Sequence, residues 1–229
     1  MNLVDALRTT GAIREFRPEP VPDDVLFRVL DNARFAPSGG NRQGWRVVVL
    51  RDGAIRRAVR DLYLDGWYDY LAMRSRGLTP WAPVTDTAAE QAALADAPAI
   101  RDAASSGPGG FAEHLDEVPV LLALLADLRA LAAVDRGFDR YTFAGGASVY
   151  PFAWSVLLAA REEGLRGVMT TMPIRREPEM KQLLRVPDEL AIAAVLALGY
   201  PVAEPKRLAR APVAEFTTVD TFDGARFAG

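Results

Sequence analysis

The longest apolar stretch of the chain, residues 118–126, restricts its fold more than any other sequence feature. It is interrupted only by Pro119 and is much shorter than the roughly 20 apolar residues that cross a bilayer. A short run that is apolar at nearly every position predicts a strand buried in a core. Half of the residues are apolar, so the chain has enough material to build a core around such a strand.

The chain contains no cysteine and a single histidine, His114. The absence of thiols excludes disulfides, thiolate nucleophiles, iron–sulfur clusters and cysteine-ligated zinc. A lone histidine also argues against a histidine-rich metal site or a Ser-His-Asp triad. We therefore expect no bound metal, and expect either carboxylate chemistry or an organic cofactor that carries the reaction.

The net charge and the N-terminal residues indicate the cellular compartment of the protein and the classes of partner that it binds. Lysine and arginine number 27 and aspartate and glutamate 30, so the net charge is −3. A mildly acidic chain lacks the basic field that nucleic-acid phosphates require. Asp5 interrupts the segment that would have to be apolar in a signal peptide. We expect a cytoplasmic protein with neither a nucleic-acid nor a membrane partner.

Hydrophobic periodicity predicts few strands among more helices, which is typical of an α+β or α/β protein. The predicted strands are residues 45–50, 118–125, 167–172 and 190–198. The predicted helices are one ending near Gly11, one from Pro22 to before Pro37, and residues 54–74, 88–104, 147–163 and 173–184. Residues 105–110 are expected to be a mobile connection, and residues 216–219 favour a strand.

Polar residues cluster directly before the first predicted strand. No glycine-rich dinucleotide fingerprint or phosphate loop is present. Residues 36–45 instead place Ser38, Asn41, Arg42 and Gln43 together. A helix-to-strand turn accounts for the glycines and Asn41. The clustered hydroxyl, amide and guanidinium groups also offer donors and acceptors that suit a polar heterocycle.

Four motifs occur in order along almost the whole chain. They are Arg14-Glu15-Phe16 with residues 20–22 (PVP); residues 36–45 (APSGGNRQGW); residues 146–151 (GASVYP), opening an apolar helix that ends at Gly164-Leu165; and residues 199–201 (GYP), with a basic residue before Pro212. Together these motifs resemble the nitroreductase family of flavin-dependent oxidoreductases.

The resemblance implies an α+β fold with a mixed, mainly antiparallel sheet flanked by helices. It implies one domain over residues 1–229, in which residues 63–110 form a lid or insert. Residues 201–229 would form an arm that adds a strand to the partner of an obligate homodimer. Two FMN molecules at the interface would relay hydride from NADH or NADPH to a nitroaromatic, quinone or other conjugated small molecule by a ping-pong mechanism. No catalytic acid or base is needed.

The resemblance also implies the cofactor contacts. Arg14 and the backbone of Thr10, Gly11 and Ala12 would face the phosphate, and Arg207 and Arg210 of the basic cluster at residues 206–210 would complete the clamp. The ring and ribityl chain would contact Pro37, Ser38, Gly39, Asn41 and Gln43, partly from the partner. Met169, Thr170 and Thr171 would lie at the N5 edge, where a backbone N–H stabilises the reduced ring.

Aromatic residues in the predicted lid suggest an acceptor surface. Tyr63, Trp67, Tyr70 and Trp81 recur there, and flat acceptors stack on aromatic faces. Such residues are also common in protein cores, so core packing is the alternative interpretation.

The chain departs from the family pattern at two positions. Thr10-Gly11-Ala12 replaces a basic-basic-Ser run, and Gly44 replaces a proline. Either Arg8, Arg17 and the C-terminal basic residues rebuild the clamp, or the flavin is held loosely, or the site takes a deazaflavin. A flavin-dependent dehydrogenase or oxidase of a specialised metabolite and a non-catalytic flavin-binding protein are the alternative functions.

Overall fold

The computed structural model describes residues 2–203 and 207–227, and Lys206 of the basic cluster lies outside them. The helices are α1 (Leu3–Thr9), α2 (Asp23–Ala33), α3 (Gly53–Ser75), α4 (Thr87–Ala93), α5 (Ala97–Ser105), α6 (Tyr150–Glu162), α7 (Glu177–Leu184) and α8 (Val213–Phe216). The strands are β1 (Trp45–Leu50), β2 (Val120–Asp127), β3 (Arg166–Thr170) and β4 (Leu190–Gly199).

The strands form one sheet in the order β1-β2-β4-β3, and every pairing between them is antiparallel. The apolar run that dominates the sequence is β2, which lies inside the sheet and is buried at all eight positions. Its register places Ala126 opposite Trp45 and Val120 opposite Leu198, with a bulge between Leu124 and Leu125. The predicted α+β class with a mainly antiparallel sheet is confirmed.

Alternate residues of β2 supply two separate cores, as the two-residue repeat of a strand requires. Leu122 and Leu124 pack in the layer that contains α2 and α6, and Leu121 faces the layer that contains α3 and α7. In the first layer, Trp45 stacks on Phe152 with ring centroids 4.9 Å apart. Helices therefore cover both faces of the sheet.

The ends of the main helices follow from local sequence signals. The Asp52 carboxylate caps α3 by accepting hydrogen bonds from the N–H groups of Ala54 and Ile55, at 2.8 and 3.0 Å. Gly164 has φ +76° and ends α6, so the N–H of Leu165 bonds back to the carbonyl of Ala160. This is the Schellman pattern expected at a glycine C′ position.

The structure corrects three local predictions. A 3-10 turn (Leu94–Asp96) divides the helix predicted at residues 88–104, and another (Met172–Arg176) replaces the first turn of the helix predicted at 173–184. The segment predicted as a strand, residues 216–219, forms none: Phe216 is the last residue of the short helix α8, which follows Pro212, a residue that suits the start of a helix. Residues 217–227 contain only an isolated bridge between Thr218 and Arg226.

The connection predicted to be mobile, residues 105–110, is fastened at its end. The Gly110 N–H donates to the Glu113 carboxylate at 2.7 Å, and the His114 ring nitrogen Nε2 lies 2.8 Å from the Pro108 carbonyl oxygen. Among residues 2–203 and 207–227, no helix is both long and apolar enough to cross a membrane. The lid at residues 63–110 and the strand-exchanging arm remain predictions.

Gly167→Ala is expected to destabilise the fold. A Cβ at residue 167 would overlap the carbonyl oxygen of Ala197 and the side chain of Leu198 on β4. Overpacking of this kind costs about 1–3 kcal/mol. The shift in the midpoint of urea denaturation measures the loss. Gly137→Ala is the control, because nothing described lies within 4 Å of the added methyl group. Equal midpoints for the two variants would contradict this packing.

Candidate functional site

The segment that carries Arg14 is held in place by backbone hydrogen bonds to the sheet. The N–H of Ile13 donates to the carbonyl of Gly167 at 3.0 Å, and the N–H of Arg17 donates to that of Tyr200 at 2.8 Å. Arg14 is exposed and lines a cleft of about 720 Å³, with its guanidinium 6.0 Å from the ring of Phe111. The fold thus fixes the backbone at Arg14 and leaves its side chain accessible.

The C-terminal segment returns to the same place. The N–H of Leu208 donates to the carbonyl of Arg8 at 2.9 Å. The side chain of Leu208 packs on Gly11, where a Cβ would lie only 2.9 Å from Leu208 Cδ2. Gly11 therefore makes room for the C-terminal segment, and this contact brings the Arg207–Arg210 region to the predicted phosphate segment.

Four arginines of this region are without ion pairs among the described residues. No carboxylate of residues 2–203 or 207–227 lies within 4 Å of the guanidinium groups of Arg8, Arg14, Arg207 and Arg210. By contrast, Arg17 pairs with Glu19 at 3.3 Å and lies over the ring of Tyr200. Unpaired guanidinium groups on segments that meet in this way are suited to bind an anion with several oxygens.

Thr10 is not available in the way predicted. Its side chain is buried, with 8% exposure, and its hydroxyl accepts a hydrogen bond from Arg161 at 3.2 Å. Its N–H donates to the carbonyl of Ala6 at 2.9 Å and ends α1. The N–H groups of Gly11 and Ala12, by contrast, have no acceptor among the described residues. The segment offers two backbone donors where the sequence suggests three.

The polar loop before β1 has an unusual backbone. Gly40, Asn41 and Gln43 have φ values of +60°, +52° and +50°, which is the left-handed region that side chains other than glycine seldom adopt. Two such residues within three positions concentrate backbone strain at the loop. Strain of this kind clusters at functional sites.

Internal hydrogen bonds hold this loop in its strained form. The Ser38 hydroxyl accepts from the N–H of Gln43 at 3.0 Å, and the Gln43 amide donates to Asn41 Oδ1 at 3.2 Å. The N–H of Gly39 donates to the Ser148 hydroxyl at 3.0 Å, which anchors the loop just before α6. Pro37, Asn41 and Gln43 are exposed, so the loop presents a ready surface to a ligand.

Local packing explains why residue 44 is a glycine. A Cβ at this position would lie 2.9 Å from the Cβ of Ala130, and the carbonyl of Gly44 accepts a hydrogen bond from the N–H of Asp127 at 2.7 Å. The segment that follows β2 therefore occupies the space that a proline ring would need. This departure from the family pattern is a local packing exchange.

The end of β3 lies beside an aromatic core residue. Thr170 is the last residue of β3, Thr171 is exposed, and Met169 is half-buried opposite Leu196. The phenol of Tyr63 lies beside Thr170. Burial raises the pKa of the Tyr63 phenol, against the smaller opposing effects of Thr170 and Arg14, so Tyr63 stays protonated.

This geometry changes the role of Tyr63. Its exposure is 3%, so its ring packs in the core and cannot stack on an acceptor. We reassign it to the core beside the end of β3. The other three aromatics form a row that starts at Tyr63. The ring centroids of Tyr63 and Trp67 are 6.0 Å apart, those of Trp67 and Tyr70 are 5.4 Å apart, and those of Tyr70 and Trp81 are 6.4 Å apart.

The two polar clusters lie at opposite ends of α6. Ser148 anchors the loop of residues 38–43 at the start of α6, whereas Arg161, near its end, bonds to Thr10. A helix of 13 residues is roughly 20 Å long. One chain therefore does not bring the polar loop to its own phosphate segment. No group of His, Cys, Asp or Glu in the described part of the chain is arranged to hold a metal ion.

Comparison with curated proteins gives two kinds of relative. The chain is 30% identical over 221 residues to the NADH dehydrogenase of Thermus thermophilus, covering 84% of this chain and 83% of that protein. It is 23% identical over 195 residues to the iodotyrosine deiodinase of Danio rerio, covering 85% of this chain and 58% of that protein. The chain thus spans less than two thirds of the deiodinase.

A solved structure shows the same fold. Oxidized iodotyrosine deiodinase bound to FMN and 3-iodo-L-tyrosine superposes with a TM-score of 0.65 at 22% identity, covering 96% of this chain and 100% of that one. A model of the nitroreductase family matches residues 7–200, which include all the motifs on which the resemblance rests except Pro201 of the last motif and the C-terminal basic residues. The chain belongs to the nitroreductase family.

Proposed function

We propose that this chain is an FMN-dependent oxidoreductase that transfers hydride from NADH or NADPH to a nitroaromatic, quinone or other conjugated acceptor. The observation that supports it most is the set of unpaired arginines on the chain segments that meet at Gly11, together with the free N–H groups of Gly11 and Ala12. That donor set fits a phosphate monoester. The FMN in the solved deiodinase and the name of the Thermus thermophilus relative favour the same chemistry.

FMN would supply the redox chemistry, taking a hydride from the nicotinamide in one half-reaction and giving it to the acceptor in the other. For a quinone, NAD(P)H and one solvent proton are consumed, and NAD(P)⁺ and the hydroquinone are formed. The chain needs no acid–base side chain for this exchange. Its own residues bind the phosphate, orient the ring and offer a surface to the acceptor.

Each cluster has a distinct task in this proposal. Arg14 and the N–H groups of residues 11–12 hold the phosphate, with Arg207 and Arg210 beside them. Thr170, which lies beside Tyr63, and the neighbouring Thr171 lie at the edge of the ring where hydride is exchanged. The fixed polar loop at residues 38–43 contacts the ring through groups that need no reordering when the ligand binds.

The separation of the clusters along α6 favours a homodimer. A flavin bound by Arg14 reaches a polar loop only if that loop comes from a second copy, because its own loop is anchored at the far end of α6. α2 and α6 also expose large apolar side chains, including Phe27 at 70% and Trp154 at 38%. Exposed apolar surface of this kind marks an association face.

The test begins with the purified protein and added FMN. We expect a flavin absorbance spectrum that remains after gel filtration, bleaching by NADH or NADPH without oxygen, and recovery when a quinone or nitroaromatic is added. Bound flavin that neither nicotinamide reduces would instead indicate a flavin-binding protein. Turnover with oxygen and a reduced metabolite alone would indicate a dehydrogenase or oxidase. Failure to bind FMN would overturn the proposal, and a parallel titration with a deazaflavin phosphate would identify that alternative.

Arg14→Gln is expected to weaken FMN binding by about tenfold or more, because it removes a charge-assisted contact to the phosphate. Quenching of flavin fluorescence on titration of the apoprotein gives the dissociation constant. Arg74→Gln is the matched control, since Arg74 is also an exposed arginine but lies near the end of α3. A similar change in both variants would show that Arg14 does not contact the phosphate.

Trp154→Glu is expected to convert the dimer to a monomer and to reduce FMN binding with it. A charge on the exposed face of α6 opposes burial against a second copy, and the partner's polar loop is lost from each site. Light scattering gives the mass, and flavin absorbance gives the occupancy. Val84→Glu, at a 94% exposed position between α3 and α4, should leave the mass unchanged. A native protein that is already monomeric would refute this arrangement.

A further inference from the structure

Trp81 is held in a strained backbone conformation. Its φ is +54°, in the left-handed region, which is rare for a bulky aromatic residue. The N–H of Trp81 donates to the Glu90 carboxylate at 2.8 Å, and the same oxygen accepts from the Thr85 hydroxyl at 3.2 Å. Strain of this type persists only where surrounding contacts enforce it, and it is a recurrent feature of ligand sites.

The strained backbone brings the indole to the end of an aromatic row. The centroid of Trp81 lies 6.4 Å from that of Tyr70, whose ring is stacked on Trp67 at 5.4 Å and 9°. All three rings are partly exposed. They form a partly exposed aromatic surface beside α3, and planar ligands bind such surfaces by stacking.

Arg175 adds a positive charge to this surface. Its guanidinium lies 4.9 Å from the centroid of the Trp81 ring. An arginine that stacks on an aromatic face keeps its N–H groups in the plane of the guanidinium, where a carboxylate can accept two of them. The side chain is exposed, and no carboxylate in the described part of the chain lies within 4 Å of it.

The neighbouring arginines, Arg101 and Arg176, are already paired with carboxylates. Arg176 forms ion pairs with Asp65 and Glu179, and Arg101 pairs with the second oxygen of Asp65 at 2.8 Å. Arg175 opposes the rise that burial causes in the pKa of Asp69, but the two side chains do not form an ion pair. Arg175 therefore differs from the adjacent cations in having free donors beside an aromatic surface.

Close packing against α3 fixes the position of the Arg175 side chain. The 3-10 turn of residues 172–176 approaches α3 at Gly66, where a Cβ would lie 3.0 Å from Met172 Sδ and 3.2 Å from Arg175 Cγ. This turn directly follows Thr171. The segment that we place at the reactive edge of the flavin therefore leads directly into the turn that carries Arg175.

We propose that Trp81, Tyr70 and Arg175 form the acceptor subsite and select planar aromatic acceptors that carry a carboxylate. The ring of the acceptor stacks on the aromatic surface, and its carboxylate takes two hydrogen bonds from the edge of Arg175. This inference rests on the proposed function for the identity of the reaction, but the binding preference itself depends only on these residues.

The test compares two ligands of similar size, 4-nitrobenzoate and the neutral 4-nitrobenzyl alcohol. Quenching of tryptophan fluorescence in the FMN-loaded protein, without nicotinamide, gives both dissociation constants. We expect tighter binding of 4-nitrobenzoate, and we expect Arg175→Gln to weaken that binding about tenfold or more, because it removes charge-assisted hydrogen bonds. Binding of the alcohol should stay within about twofold, since it makes no such bonds.

Two further variants separate direct contact from overall charge. Arg57→Gln removes an exposed arginine near the start of α3, roughly 20 Å from Tyr70, and should leave both affinities unchanged. Arg175→Lys keeps the charge but loses the paired donors, so it should retain part of the preference. Under turnover with NADH or NADPH, the ratio of kcat/KM for the two acceptors should fall in Arg175→Gln and not in Arg57→Gln.

Each outcome decides the inference. Wild-type protein that binds both ligands equally, or neither, overturns it, as does an Arg175→Gln variant that weakens both to the same extent. Flavin absorbance recorded before each titration keeps the two proposals apart. If the protein binds FMN but shows no preference for 4-nitrobenzoate, only the proposed acceptor subsite is refuted. If the protein does not bind FMN, the proposed function is refuted. The fluorescence titration of that protein still shows whether Arg175 selects the carboxylate.

Discussion

The burial of β2 on both faces is the constraint on which the rest of the structure depends. All eight of its residues are shielded from solvent, so neither face of the sheet can be left open. Burying this strand requires a helical layer on each side, because its alternate side chains point in opposite directions. β4 pairs with β2 on the side away from β1, and β3 pairs with β4 at the edge of the sheet. The edge strand β3 then remains available to the segment that carries Arg14.

The positive end of the site is assembled from distant parts of the sequence. Backbone hydrogen bonds hold residues 13–17 to the ends of β3 and β4, and Leu208 closes over Gly11. The arginines on these segments remain in water, where an unpaired charge carries little desolvation penalty. In the function that we propose, the phosphate of FMN would therefore meet cations that do not have to break an ion pair with any described carboxylate. The Thr10-Gly11-Ala12 sequence, which departs from the family pattern, follows from the packing of Leu208 and Arg161 at this point.

Backbone strain occurs at both surfaces to which we assign ligand contacts. In the polar loop, Ser38 and Ser148 hold the left-handed residues, and at Trp81 the Glu90 carboxylate does so. Each left-handed residue costs of order 1–3 kcal/mol, which the local hydrogen bonds and the packing of the fold must offset. Both surfaces are consequently rigid before a ligand arrives. Preorganisation of this kind reduces the ordering cost of binding.

The sequence determined the buried strand, the order of helices and strands, the polar loop and the family, because local periodicity and short motifs carry that information. Only the tertiary structure decided that Tyr63 is a core residue beside Thr170 and that the Thr10 hydroxyl accepts a hydrogen bond from Arg161. It also separated the polar loop from the phosphate segment along α6 and left Arg175 unpaired next to paired neighbours. These facts depend on contacts between residues far apart in the chain, and composition and spacing do not specify which of many exposed arginines will meet a carboxylate.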